Sequence, residues 1–220
     1  MSMRTLYPMM VNLTGKRCLV VGGGTVAERK VARLLECGAE VEVVSPTATP
    51  RLATLASSRR IRWRRRTVRD SDLSGAFLAI AATDDPEVNR DVARGVQSVG
   101  GLVNVVNDPK ACSFLVPSVL RRGELTIALS TGGGSPALAK KLRQHLEQTI
   151  GPEYAKFLRA LRLLREQTKQ AVRDPKKRQA IYRRAVASNL FEAAVHGDPA
   201  LVASEIDALV KLGRPASPRT

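Results

Sequence analysis

The stretch from residue 18 to residue 45 restricts the fold more than any other part of the sequence. It sets three consecutive glycines where a short apolar run meets an amphipathic segment. Cys18-Leu19-Val20-Val21 reads as a buried strand, and Gly22-Gly23-Gly24 ends it. From Thr25 onward Ala27, Val31, Leu34 and Leu35 share one helical face, and Gly38 stops the helix. Val41 to Val44 reads as a second strand, broken by Ser45-Pro46. The pattern Gly22-x-Gly24-x-x-Ala27 then has physical content. Glycine at 22 permits a tight turn, glycine at 24 lets backbone approach a pyrophosphate, and a small residue at 27 lets helix and strand pack closely. The N–H groups of Thr25 and Val26 face the phosphates, helped by the helix dipole. A lone glycine pattern says little, but in strand–turn–helix context it predicts dinucleotide binding on Gly22, Gly23, Gly24, Thr25 and Val26. The second strand lacks the terminal Asp or Glu that selects NAD. Ser45-Pro46-Thr47 stands there instead, with hydroxyls suited to a ribose, and nearby Arg51 tolerates a phosphate. On this chemistry both NAD and NADP remain open.

The alternation continues. A weaker third strand is expected around Ile61 to Val68 and a fourth, buried one at Phe77 to Ala81. Asp85-Pro86 opens a helix with Val88, Val92, Ala93 and Val96 on one face, and Leu102 to Val106 reads as a fifth strand. This predicts an α/β, Rossmann-like, doubly wound, mostly parallel sheet, with Thr83 and Asn104 at the carboxyl ends of strands four and five, where ligands bind. The pattern then changes. Phe114 to Leu120 and Glu124 to Ser130 read as two strands joined at Arg122-Gly123, and Ser135-Pro136 caps a helix running to about Ile150. Beyond Gly151-Pro152, helices are expected at about 153–172, 176–195 and 199–212, then a frayed tail. The expected divisions are 1–113, 114–150, 151–213 and 214–220.

Charge is the compositional anomaly: 36 Lys and Arg against 20 Asp and Glu, a formal +16 in 220 residues. Such a field favours anionic partners. Aromatics at 4% argue against a surface that stacks many bases. The excess is concentrated. Arg59 to Arg69 holds seven arginines in eleven residues, and Lys156 to Arg184 holds eleven Lys and Arg. The rival reading is a Rossmann-type nucleotide-binding module whose basic helices contact nucleic acid. No apolar run reaches membrane-spanning length, and Met1 to Met10 lacks the apolar core of a signal peptide, so a cytoplasmic protein is expected. Cys18, Cys37 and Cys112 lie far apart, and with only His145 and His196 beside them, neither a metal site nor a disulfide framework is expected.

Four blocks taken together resemble a known family. They are Gly22-Gly-Gly-Thr-Val-Ala-Glu-Arg-Lys30; Ala79-Ile-Ala-Ala-Thr-Asp-Asp85 with Val88-Asn89; Asn104-Val-Val-Asn-Asp-Pro109 with Ser113-Phe114 and Pro117-Ser118; and Ser130-Thr-Gly-Gly-Gly-Ser-Pro136. In this order and spacing, from about Leu6 to about Ile150, the chain resembles precorrin-2 dehydrogenase, the family that includes the N-terminal half of siroheme synthase. The resemblance implies oxidation of precorrin-2 to sirohydrochlorin with NAD, and in some members insertion of ferrous iron. It also implies a homodimer whose contact is the segment 114–150. Its cofactor residues carry over onto Gly22 to Val26, Pro46 and Thr47.

The resemblance also marks departures. Asn107 stands where the family has an aspartate with an acid–base or metal-handling role. A neutral amide cannot accept a proton as a carboxylate can. Asp108 is adjacent, and in an extended segment it would point to the opposite side. Asn107 and Asp108 are therefore the catalytic candidates, with hydride transfer left mainly to the cofactor. Thr131 stands where the family often has Ser. Ser113, Thr131, Gly132 and Ser135 are the candidate substrate contacts, the last three in a glycine-rich turn at a helix N-terminus suited to a carboxylate. The substrate implied carries eight carboxylates, which gives the basic surface a second reading as its guide.

Overall fold

The computed structural model describes residues 5–213. The expected frayed tail, 214–220, lies outside the described residues. The chain divides into two compact units: the first takes residues up to 116 with 132–134, the second takes 117–131 and the chain from 135 on.

The first unit is built on a five-stranded parallel sheet. Its strands are β1 (Arg17–Val21), β2 (Glu40–Val44), β3 (Arg62–Arg64), β4 (Leu78–Ala81) and β5 (Leu102–Val105), in the order β3-β2-β1-β4-β5. Its helices are α1 (Thr25–Glu36), α2 (Pro50–Ser57), α3 (Asp70–Leu73) and α4 (Pro86–Ser98). Alternation along each strand feeds two cores. Cys18, Val20, Val41, Val43, Leu78 and Ile80 pack with Ala27, Val31 and Leu34 of α1 and Leu52 of α2. Leu19, Val21, Val44, Ala79, Ala81, Val103 and Val105 pack with Leu73 of α3 and Val92, Ala93 and Val96 of α4. Both faces are covered, so the central strands read as unbroken apolar runs. This is the doubly wound sheet expected from the sequence, and strand order reverses between β1 and β4.

Several boundaries move. Phe77 precedes β4, is exposed, and holds the Lys16 ammonium 5.7 Å from its ring centre, so the strand begins at Leu78. The third strand shrinks from Ile61–Val68 to three residues. Two short helices were not expected, α2 and α3. Thr49 caps α2 by accepting from the Leu52 N–H, and Pro50 takes its first position.

The second unit holds an antiparallel hairpin, β6 (Ser118–Arg122) with β7 (Leu125–Leu129), and five helices: α5 (Pro136–Thr149), α6 (Glu153–Ala171), α7 (Pro175–Val186), α8 (Leu190–His196) and α9 (Pro199–Lys211). Residues 114–117 do not join β6 as expected; Ser113 instead bonds across to Val103, and Pro117 has no N–H to give a ladder. The expected helix 176–195 is two. Ser188 donates to the Ala185 carbonyl and accepts from the Leu190 N–H, and these local bonds turn the chain at 187–189. Phe157, Leu164 and Thr168 of α6 face a core shared with Ile181, Ala185, Leu190, Ile206 and Val210. Arg159, Arg162 and Arg165 lie outside it; Arg162 pairs with Glu124, and Arg165 sits 5.7 Å from the Tyr182 ring centre.

Candidate functional site

At the reversal point, the loop after β1 meets the loops after β2 and β4. Gly22 has φ +119°, and its N–H donates to the Val44 carbonyl. A Cβ here would lie 2.3 Å from the Ala82 carbonyl oxygen, so only glycine fits. Gly23 is crowded from the other side: a Cβ would lie 1.9 Å from the Thr47 carbonyl oxygen and 2.9 Å from Ser45 Oγ. Its own carbonyl accepts from the Thr49 N–H at 3.0 Å. Around Gly24 there is nothing within 4 Å of a Cβ. The first two glycines are thus needed by the fold, while the third faces open space, as a backbone that approaches a ligand should.

Gly24 is also the N-cap of α1 and offers no side-chain cap, so the first-turn N–H groups point outward without a protein acceptor. That is an anion cradle, and it fits the pyrophosphate of a dinucleotide. The structure brings Gly22 to Val26 together with Ser45, Pro46 and Thr47. Ser45 is buried, with its carbonyl accepting from the Trp63 indole N–H at 3.0 Å, while Pro46 and Thr47 are exposed. Two contacts here escaped sequence reasoning. Thr49 Oγ1 donates to Glu28 at 2.6 Å, and Arg51 lies 3.6 Å from the same carboxylate. Arg51 is therefore loosely paired while its side chain stays 69% exposed.

Other predicted contacts prove to be occupied inside the fold. The Thr83 hydroxyl donates to Asn89 Oδ1 at 2.9 Å and to the Asp85 carbonyl at 3.0 Å, while buried Asn89 clamps the Thr83 backbone. Asn104, buried in β5, donates to the Phe114 carbonyl at 3.1 Å and toward Cys112 Sγ at 3.4 Å. Ser113 Oγ accepts from the Val103 N–H at 2.7 Å. The Cys112 thiol accepts from the Val105 N–H and donates toward the Val105 and Asp108 carbonyls. Burial is the main force that pushes this thiol's pKa up, which keeps it a neutral donor. These groups shape the strand-end loops; their side-chain polarity is directed inward.

Asn107 and Asp108 form a turn after β5, so the opposite-side argument for an extended segment does not apply to them. Asn107 is exposed at φ +64°, a conformation asparagine tolerates well. Asp108 Oδ1 accepts from the Lys110 and Ala111 N–H groups, so this carboxylate holds its own turn. In the second unit, Thr131 Oγ1 accepts from the Ser135 N–H at 3.0 Å and Ser135 Oγ caps α5 through the Leu138 N–H at 3.2 Å. In both bonds the hydroxyl oxygen accepts. Gly132 has φ +62°. His145 is exposed on α5, and His196 ends α8 with Nδ1 2.7 Å from the Glu192 carbonyl, so both histidines serve helix surfaces. The described residues contain no group of three or more His, Cys, Asp or Glu able to hold a metal ion.

The models of two families match in tandem. One, described as "Putative NAD(P)-binding", matches residues 9–118, half of the chain; the other, "Sirohaem biosynthesis protein central", matches residues 122–149. The chain is 41% identical over 202 residues to siroheme synthase of Methylobacillus flagellatus, covering 88% of this chain and 43% of that protein. Siroheme synthase of Chromobacterium violaceum is 36% identical over 207 residues, covering 94% and 44%. Among solved structures, "SirC, precorrin-2 dehydrogenase" superposes with a TM-score of 0.77 at 25% identity, covering 94% of this chain and 100% of that one. The chain spans less than half the length of these two curated relatives. With an open glycine cradle at the strand reversal and half its length matched by the family model, the chain is similar to siroheme synthase over less than half of that protein and belongs to the putative NAD(P)-binding family.

Proposed function

We propose that the chain is an NAD-dependent dehydrogenase that oxidises precorrin-2 to sirohydrochlorin in siroheme biosynthesis. The observation that carries this reading is the outward-facing first turn of α1 behind Gly24, set where strand order reverses. The likeness to SirC supplies the substrate. The balance is a two-electron oxidation: a hydride leaves a substrate carbon for the nicotinamide and a proton is released. NAD, when bound, supplies the hydride acceptor.

The chain's own residues bind and orient. The amides of Gly24, Thr25 and Val26 hold the pyrophosphate, and Ser45 to Thr47 line the ribose. Arg51 is already paired with Glu28, which favours NAD over its phosphorylated form. Asn107, exposed on its turn, hydrogen-bonds the tetrapyrrole, and Asp108 is the carboxylate nearest to it in sequence. Thr131 and Ser135 donate their hydroxyl protons to a substrate carboxylate beside Gly132. Insertion of ferrous iron is the lesser activity in this reading, because Asn107 offers no base and Asp108 already holds its turn. The working form is a homodimer built on the segment 114–150. The three cysteines are free, in keeping with a reducing cytoplasm. No helix among the described residues is long and apolar enough to cross a membrane.

Purified protein mixed with precorrin-2 and NAD under argon should develop the absorbance of sirohydrochlorin. No spectral change, with both ligands shown to bind, would remove the dehydrogenase assignment.

A further inference from the structure

The amino ends of β1, β2 and β3 lie at the edge of the sheet remote from the glycine cradle. A cavity of about 420 Å³ opens there, lined by Arg17, Glu40, Glu42, Arg59, Arg60 and Arg62 among others. Its charges do not cancel. Arg17 is committed: it bonds Glu42 at 3.1 Å and the Ser74 and Asp72 carbonyls at 2.7 Å each. Glu42 is neutralised by Arg17 and Arg64. Among the described residues, no carboxylate partner is seen for Arg59, Arg60 or Arg62, and Glu40 is the one remaining acid in the lining. Three free guanidinium groups thus face one carboxylate.

The backbone gives a second, independent observation. α2 ends in a two-bond closure in which the Arg59 N–H donates to the Ala56 carbonyl and the Arg60 N–H to the Leu55 carbonyl. This closure places a left-handed residue, normally glycine, just past the cap. Here it is Arg59, at φ +57°. A long side chain in that conformation carries strain that glycine would relieve. A positive charge at a helix C-terminus is favourable in itself, but any nearby Lys or Arg would supply it without the strain. Strain held where unpaired arginines line a cavity points to use of the side chains.

We propose that Arg59, Arg60 and Arg62 form a second anion site that takes a small multivalent oxyanion, phosphate or carboxylate in type. Guanidinium forks match both groups in two-point geometry. The depression is open to solvent and wide enough to admit a small anion. Because it lies at the other end of the strands from the cradle, occupancy does not compete with NAD.

The test is calorimetric titration of the full chain, saturated with NAD, with inorganic pyrophosphate in one series and citrate in another. One equivalent of at least one anion should bind, and the tighter of the two names the source. Arg60→Ala and Arg62→Ala should each weaken binding about fivefold or more, as for a charge-assisted contact. Glu40→Gln should tighten it about threefold, as expected for removing a nearby exposed like charge. Arg59→Gly should raise the melting temperature and weaken the anion. Arg94→Ala, on α4, controls for loss of general charge and should leave binding unchanged. Absence of binding, or equal losses in the cavity variants and Arg94→Ala with no gain from Glu40→Gln, overturns the site.

Discussion

Three adjacent glycines do different work, and their replacements should separate accordingly. At Gly24 a methyl group meets nothing within 4 Å and the backbone is extended at φ −79°. Gly24→Ala should therefore fold with an unchanged melting temperature yet lose NAD affinity by about tenfold or more, roughly 1.4 kcal/mol. At Gly23 the same methyl collides with the Thr47 carbonyl, so Gly23→Ala should cost about 2 kcal/mol of stability as a steric overload. Denaturation and cofactor titration of both variants check the contrast. At Asn107 the prediction concerns chemistry. The turn accepts an aspartate at positive φ, so Asn107→Asp should keep the fold and raise iron insertion on the order of a hundredfold, the usual scale of a general base. Chelation already full in the unsubstituted protein would remove that role from position 107. The glycine roles were partly legible in the sequence because a tight turn and a close approach are local demands. The roles of Thr83, Asn104 and Ser113 were not. A hydroxyl or amide at a strand end looks the same whether it turns out to a ligand or in to Asn89, Phe114 or Val103, and only the folded chain decides.

Elements tell a similar story about distance along the chain. β1, β2, β4 and β5 announce themselves by apolar runs, and α1 and α4 by their faces. α2 carried a readable start in Thr49-Pro50, and Ser188-Asn189 a readable break between α7 and α8. The edge of the sheet did not. There, Asp72 of α3 is almost wholly buried, bonded by both Nη atoms of Arg66 at 2.6 and 2.7 Å, with Arg64 3.8 Å away. The Arg66 hydrogen bond is the chief cause that holds the Asp72 carboxyl down at about 2, below its ordinary 3.8, while burial opposes it. A depressed carboxylate stabilises the fold above its unfolded pKa and loses that contribution as pH falls through the folded value. Stability measured by urea unfolding should thus drop by roughly 2 kcal/mol between about pH 5 and pH 2 from this group. In Asp72→Asn that component should vanish, and at neutral pH the variant should be less stable, since Arg66 and the Arg69 N–H lose their charged acceptor.

For the whole molecule, the +16 charge divides in a way composition could not foresee. Of the seven arginines from Arg59 to Arg69, Arg64 and Arg66 serve buried carboxylates, Arg65 stacks 4.2 Å from the Trp63 ring centre, and three line the cavity described above. Such pairings are made by the folded chain, and a charge count cannot see them. The proposed dimer rests on the hairpin. Val119 pairs opposite Ala128, on the alternate face from Leu120 and Ile127. Light scattering should give twice the chain mass, and Val119→Asp should give one chain mass with the hairpin intact.

The central claim is that this cradle serves the oxidation of precorrin-2, and stoichiometry tests it most directly. Anaerobic single-turnover mixing of enzyme, limiting NAD and precorrin-2 should yield one NADH for each sirohydrochlorin, with both signals rising at one rate and both slowed together in Gly24→Ala. Sirohydrochlorin formed without NADH, or formed equally well by Gly24→Ala, would contradict the account.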